Sequence, residues 1–498
     1  MSTSGFFSNL PAELLEPILN DIANVNDLLS LALTSRAFCK LVIPWHIEYR
    51  WICCPWERTD IWIPLSTKPY LAARIQHLDI WHSSELVVFP RSLATFPEYK
   101  EVAPSLPKGE RGKIFMPALI KLIENCSNLT HFRCDLPRGE LGSYTDFVVN
   151  LFEHSPWLQE LQIYGDINCD DTSDFLHINS LNKYKPTLCL RAVYFSFFLQ
   201  NESNTPSKVI DLLIHSCPSL VDIGLTFITK SDVPIPQFLL QGSWSKLTRL
   251  TLHGDADVFY SKGLPDSAKA QIMRNFFSRH LTIECLSFAG NGLIFAGCIE
   301  EGSLPNMQSL YMCVDIPAAA ILPTSVTMAG NIKHLSLANV TSDCLDIIGQ
   351  MTSLQSCVII TTDEDHALTT LLDAFPVSVE RINIVYWGSQ GYNAQTWLDT
   401  IDTWEPSFRR LKNVTHIANV FSSVNFSTAV SVELMRKLCE IMPRLSYVVV
   451  EYIRWIMMKG IREQSGEYDL REGTRIDDHW VNTFDGIHLI GDKRITWL

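Results

Sequence analysis

Leu247-Thr248-Arg249-Leu250-Thr251-Leu252 decides how this chain folds, because the same apolar-x-x-apolar-x-apolar phrase returns along most of its length. It stands at Ile75 as IQHLDI, at Leu158 as LQELQI, at Leu220 as LVDIGL and at Ile332 as IKHLSL. Further copies begin at Leu129, Leu190, Ile283, Met307, Leu354, Val379, Val414 and Leu445. Thirteen anchors between Ile75 and Leu445 set a mean period of about 31 residues, and self-similarity at that spacing marks a solenoid.

Helical stretches separate the phrases. Thr205-Pro206 opens TPSKVIDLLIHSC, with Thr205 as cap and Pro206 in the first turn. SYTDFVVNLFEHS, TSDCLDIIGQM and TAVSVELMRKLCEIM have the same character, and several stop at a proline just before the next phrase, as in Cys217-Pro218-Ser219-Leu220. Strand, turn and helix in repetition predict an α/β fold, a curved parallel sheet with helices outside. A doubly wound sheet also alternates strand and helix. Its buried strands, however, read as continuous apolar runs, whereas these alternate apolar and polar.

The composition fits one elongated core. The 498 residues are 47% hydrophobic and only 19% charged, which excludes a disordered chain. The net charge of −14 without a basic block argues against a nucleic-acid partner. The longest apolar candidate, Ile316 to Ile332, is broken by Pro317 and Pro323, so no membrane span is expected. Fourteen cysteines without a CxxC read as reduced, buried thiols and place the chain in the cytoplasm or nucleus. The sequons at Asn128 and Asn413 fall inside apolar strand patterns, where a glycan does not fit.

No GxSxG, HExxH or P-loop occurs, so an enzyme is not expected and no cofactor or metal is implied. Asp363-Glu364-Asp365-His366 precedes a helical stretch, where acidic residues are favourable on dipole grounds alone. His46 with Cys53 and Cys54 lacks a fourth ligand. The useful surface is the sheet's inner face. Anchors point into the core, and the third, fifth and seventh positions of each phrase point outward. These include His131, Arg133, Glu160 and Gln162. The candidate target-binding residues are Trp81, Tyr164, Tyr194, Arg249, His253, Tyr311, His334 and Arg381, types that dominate interface hot spots.

Ahead of the repeats, Leu10 to Leu41 holds two leucine-rich helical patterns separated at Asn24 to Asn26. Pro17 is expected to kink or break the first, and Asp27 to cap the second. Some 35 residues this apolar need a neighbour or partner to cover them. Leu10-Pro11, Glu13-Leu14-Leu15, Asp27-Leu28-Leu29 and Ser35-Arg36-Ala37-Phe38 resemble the F-box, with Phe38 where many members carry Trp. The repeats resemble irregular leucine-rich repeats, so the chain as a whole is similar to fungal F-box proteins of that type. The asparagine that closes many such strands stands clearly only at Asn291, with Asp166, Asp255 and Asp315 in its place elsewhere.

The resemblance implies a substrate receptor of a cullin-RING ubiquitin ligase. It docks the Skp-type adaptor, and through it cullin, by Leu10, Pro11, Leu14, Ile18, Leu28, Leu31 and Phe38. The repeats would hold a target protein. A protein-interaction scaffold that binds the adaptor outside any ligase is the alternative. The expected organisation is a helical module at 5–50, a solenoid at 70–460 with an insertion at about 83–117, and a cap or tail at 461–498.

Overall fold

The computed structural model describes residues 10–22, 25–81, 89, 108–135, 150–164, 189–197, 205–227, 236–254, 258–260, 263–290, 298–300, 302–314, 330–338, 340, 342–361, 368–386, 394–418, 428–451, 457–462 and 468–473. The chain divides into two compact units, Met1–Leu220 and Val221–Leu498. Each is an α/β solenoid of the leucine-rich-repeat type.

The first unit opens with three helices, α1 (Ala12–Asp21), α2 (Val25–Ala32) and α3 (Arg36–Val42). Helix α1 runs on through Pro17 to Asp21 instead of breaking there. Asp27 lies in the first turn of α2 and does not cap it. Ser35 caps α3 by accepting the Phe38 N–H at 3.2 Å. Leu15, Leu19, Leu28, Ala32, Phe38 and Val42 form the module's core.

The sheet of the first unit comprises β1 (Trp51–Pro55), β2 (His77–Trp81), β3 (His131–Asp135), β4 (Glu160–Tyr164) and β5 (Ala192–Phe197). The five pair in parallel and in chain order. In the second unit β6 (Asp222–Phe227), β7 (Arg249–His253), β8 (Cys285–Gly290), β9 (Ser309–Val314) and β10 (His334–Ala338) do the same. So do β11 (Ser356–Thr361), β12 (Arg381–Tyr386), β13 (His416–Ala418) and β14 (Tyr447–Glu451). Neighbours in sequence are neighbours in each sheet, without the reversal of strand order that defines a doubly wound sheet. The strand β15 (Met457–Arg462) then adds antiparallel to β14, and β16 (Tyr468–Gly473) antiparallel to β15.

All thirteen anchors are buried, none more than 1% exposed. Each fully buried Leu or Ile contributes about 1.5–3 kcal/mol, so the shared anchor column is the main source of stability. Turn hydrogen bonds fix the spacing between repeats. The side chains of Asn128, Asn306 and Asn413, each one residue before an anchor, donate to Ala73, Leu281 and Val377 carbonyls of the preceding repeat, at 2.7, 3.0 and 2.9 Å. The amides of both sequons are therefore engaged inside the fold. Asn291, Asp166, Asp255 and Asp315 lie outside the described residues.

Two readings need correction. The sheet starts at β1, ahead of residue 70, because Tyr49, Ile52 and Cys54 fill the anchor positions with less usual residues and are all buried. Residues 108–117 of the expected insertion are not a loop; they begin the helix Lys108–Asn125. Phe115, Leu119, Leu122 and Ile123 give that helix a buried face, and Phe115 meets Trp56 and Trp62 edge-on. That burial overrides the breaker signals of Gly109, Gly112 and Pro117. Residues 90–107, 363–366 and 474–498 lie outside the described ones. Among the described residues, no helix is long and apolar enough to cross a membrane.

Candidate functional site

Two surfaces stand out, one on the helical module and one on the inner sheet face. On the module, the core takes one side of each helix and leaves the other bare. Leu14 is 56% exposed and Ile18 40%, one turn apart on α1 beside exposed Pro11. Leu29 on α2 and Leu33 just after it are 42% and 76% exposed, again four residues apart. Leu28 is the correction: it lies in the core, because the buried stripe of α2 runs through Leu28 and Ala32. Phe38 is buried with them, and Leu10 and Leu31 are half-buried against the same cluster. Leu29 and Leu33 take the exposed place given to Leu28, a one-residue phase error on a short helix.

The module is fastened to the repeats. Glu16 on α1 accepts from both terminal nitrogens of Arg74, at 3.0 and 3.2 Å. His46 Nε2 lies 3.2 Å from the same carboxylate, and the Arg74 guanidinium sits 5.2 Å from the Trp45 ring centre. Arg74 leads into β2, so this bidentate pair ties α1 to the start of the sheet.

On the inner face of the first unit, register sets two rows of side chains. Trp51, His77, His131 and Glu160 stand side by side in one, and Asp79, Arg133, Gln162 and Tyr194 in the next. The His77 and His131 rings stack at 4.1 Å. The Arg133 guanidinium lies between Trp81 and Tyr164, 4.0 and 5.6 Å from their ring centres. Its Nε and Nη2 are shielded from solvent and have no hydrogen-bond acceptor among the described residues. Trp51 donates its indole N–H to Asp79 at 2.7 Å. Tyr164 donates to Gln162 at 3.0 Å, and Gln162 donates in turn to Glu160. Burial pushes the His77 imidazole down to about 4, so it is neutral at pH 7, and lowers that of His131 against the upward pull of Glu160 and Asp79. Burial also raises the Asp79 carboxyl, against the pull of the Trp51 hydrogen bond and of Arg133, while the nearby charge of Glu160 pushes it further up.

The second unit carries a smoother inner face. Its middle row holds Gly224, Thr251, Ser287, Tyr311 and Ser336. Tyr311 lies buried against Cys285, and His253 is buried with its Nε2 3.1 Å from Ser287 Oγ. Both have small neighbours and sink into the space these leave. Arg249 pairs with Asp222 at 3.1 Å. Arg381 lies near enough to His334 and His416 to help lower both, after the larger effect of burial; His416 falls to about 4.

The structure thus brings Trp81 and Tyr164 together through Arg133. It places Tyr194 in the same unit, buried, and the other five candidates in the second unit. Trp51 escaped notice with its strand. Arg133, His131 and Glu160 were legible as outward positions, but only the structure shows Arg133 between two rings and His131 stacked on His77.

No family model matches the chain, and no curated protein does. Solved structures that resemble it include the leucine-rich repeat-containing protein LegL7 from Legionella pneumophila, at 11% identity and a TM-score of 0.36, covering 64% of this chain and 96% of that one. The Rad7 and Elc1 complex in yeast is similar at 14% identity and a TM-score of 0.34, covering 76% of this chain and 71% of that one.

Proposed function

We propose that this protein is a non-catalytic substrate receptor of a cullin-RING ubiquitin ligase, acting in the cytoplasm or nucleus. The observation that carries the reading is the bare apolar side of the module, Leu14, Ile18, Leu29 and Leu33, on helices that resemble the F-box. Four large aliphatic side chains in water are costly, and packing them against helices of a Skp-type adaptor removes them from it. The inner sheet face, with its exposed Trp51 and its bracketed Arg133, offers the residue types that anchor protein targets.

The mechanism follows from tethering. Adaptor and cullin hold the module near a ubiquitin-charged enzyme, and the repeats hold the target. A bimolecular encounter of target lysine with thioester becomes effectively intramolecular. The Glu16–Arg74 pair would keep the two surfaces in fixed relation while that happens. The chain itself needs no catalytic group.

Reconstitution tests this against the scaffold alternative. The full chain is mixed with adaptor, cullin, RING subunit, charged conjugating enzyme and ubiquitin, and transfer onto the receptor's own lysines is followed. Transfer that depends on the module supports the receptor reading. Adaptor binding with no transfer favours the scaffold.

A further inference from the structure

The inner face of the second unit is bare of negative charge over five strands, although the chain carries 54 acidic residues against 40 basic ones. From β9 to β13, register lines up Ser309, His334, Ser356, Arg381 and His416 in one row. The next row holds Tyr311, Ser336, Val358, Asn383 and Ala418. Neither row contains a carboxylate, and Arg381 brings the one fixed charge. Arg249, two strands before β9 in the same row, differs, because Asp222 balances it at 3.1 Å. The imidazoles on either side of Arg381 report its field. His416 is its neighbour in the row and His334 lies two strands away, and the guanidinium lowers both, after the larger effect of burial. Lys333 lowers His334 further, and among the described residues no carboxylate raises either ring. Where a carboxylate is close it does so, as Glu160 and Asp79 do for His131. Arg381, His334 and His416 are half-buried, so an incoming chain can reach them. Ser356, between His334 and Arg381, is small and buried, so no bulky side chain separates the two.

We propose that this row binds an acidic side chain, a carboxylate, presented by an extended segment of the target protein. A carboxylate offers two oxygens in one plane, which a guanidinium meets with two parallel N–H bonds. The two imidazoles and the Asn383 amide bring further N–H donors beside it. One fixed cation matches one negative charge, which favours a carboxylate over a phosphate dianion. The net charge of −14 repels acidic peptides in general, so affinity for one has to arise at a local cation such as this rather than from diffuse attraction. This inference rests on the reading of the inner face as the target-binding surface.

The test uses the full-length chain and a fluorescent Gly/Ser peptide carrying three glutamates, with twins in which glutamine or phosphoserine replaces each glutamate. Fluorescence anisotropy at pH 7 should show saturable binding of the glutamate peptide and none of the glutamine twin, with the phosphoserine twin binding no more tightly. Arg381→Gln should weaken binding about tenfold. His416→Glu sets a carboxylate of the chain's own beside Arg381 and should weaken it likewise, which carries the test if Arg381→Gln does not fold. Lys246→Gln makes the same charge change as Arg381→Gln at an exposed turn before β7 and should leave the affinity unchanged. Equal binding of the glutamine twin, tighter binding of the phosphoserine twin, or weakening by Lys246→Gln equal to that by the two substitutions in the row would overturn the proposal. If adaptor binding stands and the glutamate peptide fails, this inference falls alone. If the adaptor does not bind and the peptide does, the receptor reading falls and the row remains.

Discussion

His280 should make the second unit acid-sensitive, and the size of the effect follows from its surroundings. The ring is 1% exposed, lying on Trp244 and Phe276. Its Nε2 accepts the Trp244 backbone N–H at 3.0 Å, and its Nδ1 donates to the Phe276 carbonyl at 2.8 Å. Both ring nitrogens are used by the neutral form. A second proton would turn Nε2 against another donor, and burial, against the upward pull of the Phe276 carbonyl, pushes the group from 6.5 down to about 4. Because the folded value is depressed, the stabilisation is complete above about pH 6.5 and is lost as pH falls toward 4. By linkage the loss is roughly 2 kcal/mol at pH 5 and approaches roughly 3 kcal/mol below pH 4.

The assay is hydrogen exchange of peptides covering 236–290 in graded urea, at pH 7.5 and 5.0. Local readout matters because a chain of two units need not unfold in one step. His280→Gln removes the titrating group, and its stability difference between the two pH values should be smaller than the wild type's by roughly 2 kcal/mol. An identical pH difference in the two proteins would refute the reasoning, whatever the absolute stability of the variant.

Other outcomes follow from the same structure. Leu28→Ala should destabilise the module by about 2–5 kcal/mol, read by its melting, while Leu29→Ala should change melting by less than about 1 kcal/mol and weaken adaptor capture instead. Asn413→Ala removes one rung between repeats and should cost about 1 kcal/mol in urea denaturation of the second unit. Gly290→Ala should cost more, roughly 2 kcal/mol or above, because Gly290 has φ +112° and a Cβ there would meet the Gly254 carbonyl oxygen at 2.2 Å. Glu16→Gln should leave adaptor affinity unchanged and lower the rate of ubiquitin transfer in the reconstituted ligase.

The repeats were legible because burial demands apolar residues at fixed offsets, and all thirteen anchors obey. The first strand was hidden only because Tyr49 and Cys54 stand where Leu is usual. The helix Lys108–Asn125 was hidden because glycine and proline signal local preference, whereas its formation depends on Trp56 and Trp62 far away in sequence. On α1 the helical spacing puts Leu14 and Ile18 on the exposed side, and on α2 the exposed positions are Leu29 and Leu33, one residue out of phase with Leu28. Two helical turns give too few apolar positions to fix which of Leu28 and Leu29 faces inward. The spacing of the phrases at Leu129 and Leu158 already aligns His131 with Glu160, and the register of β3 on β4 pairs them. That His77 stacks on His131 and that Arg133 lies between Trp81 and Tyr164 depends on side-chain conformations the spacing does not fix.

The most direct measurement is adaptor capture. The full chain and a Skp-type adaptor are mixed and passed over a size-exclusion column, beside a Leu14→Glu/Ile18→Glu variant with unchanged melting. The account predicts that the wild type co-elutes with the adaptor as one species and the variant does not. A folded wild-type chain that elutes apart from the adaptor would contradict it.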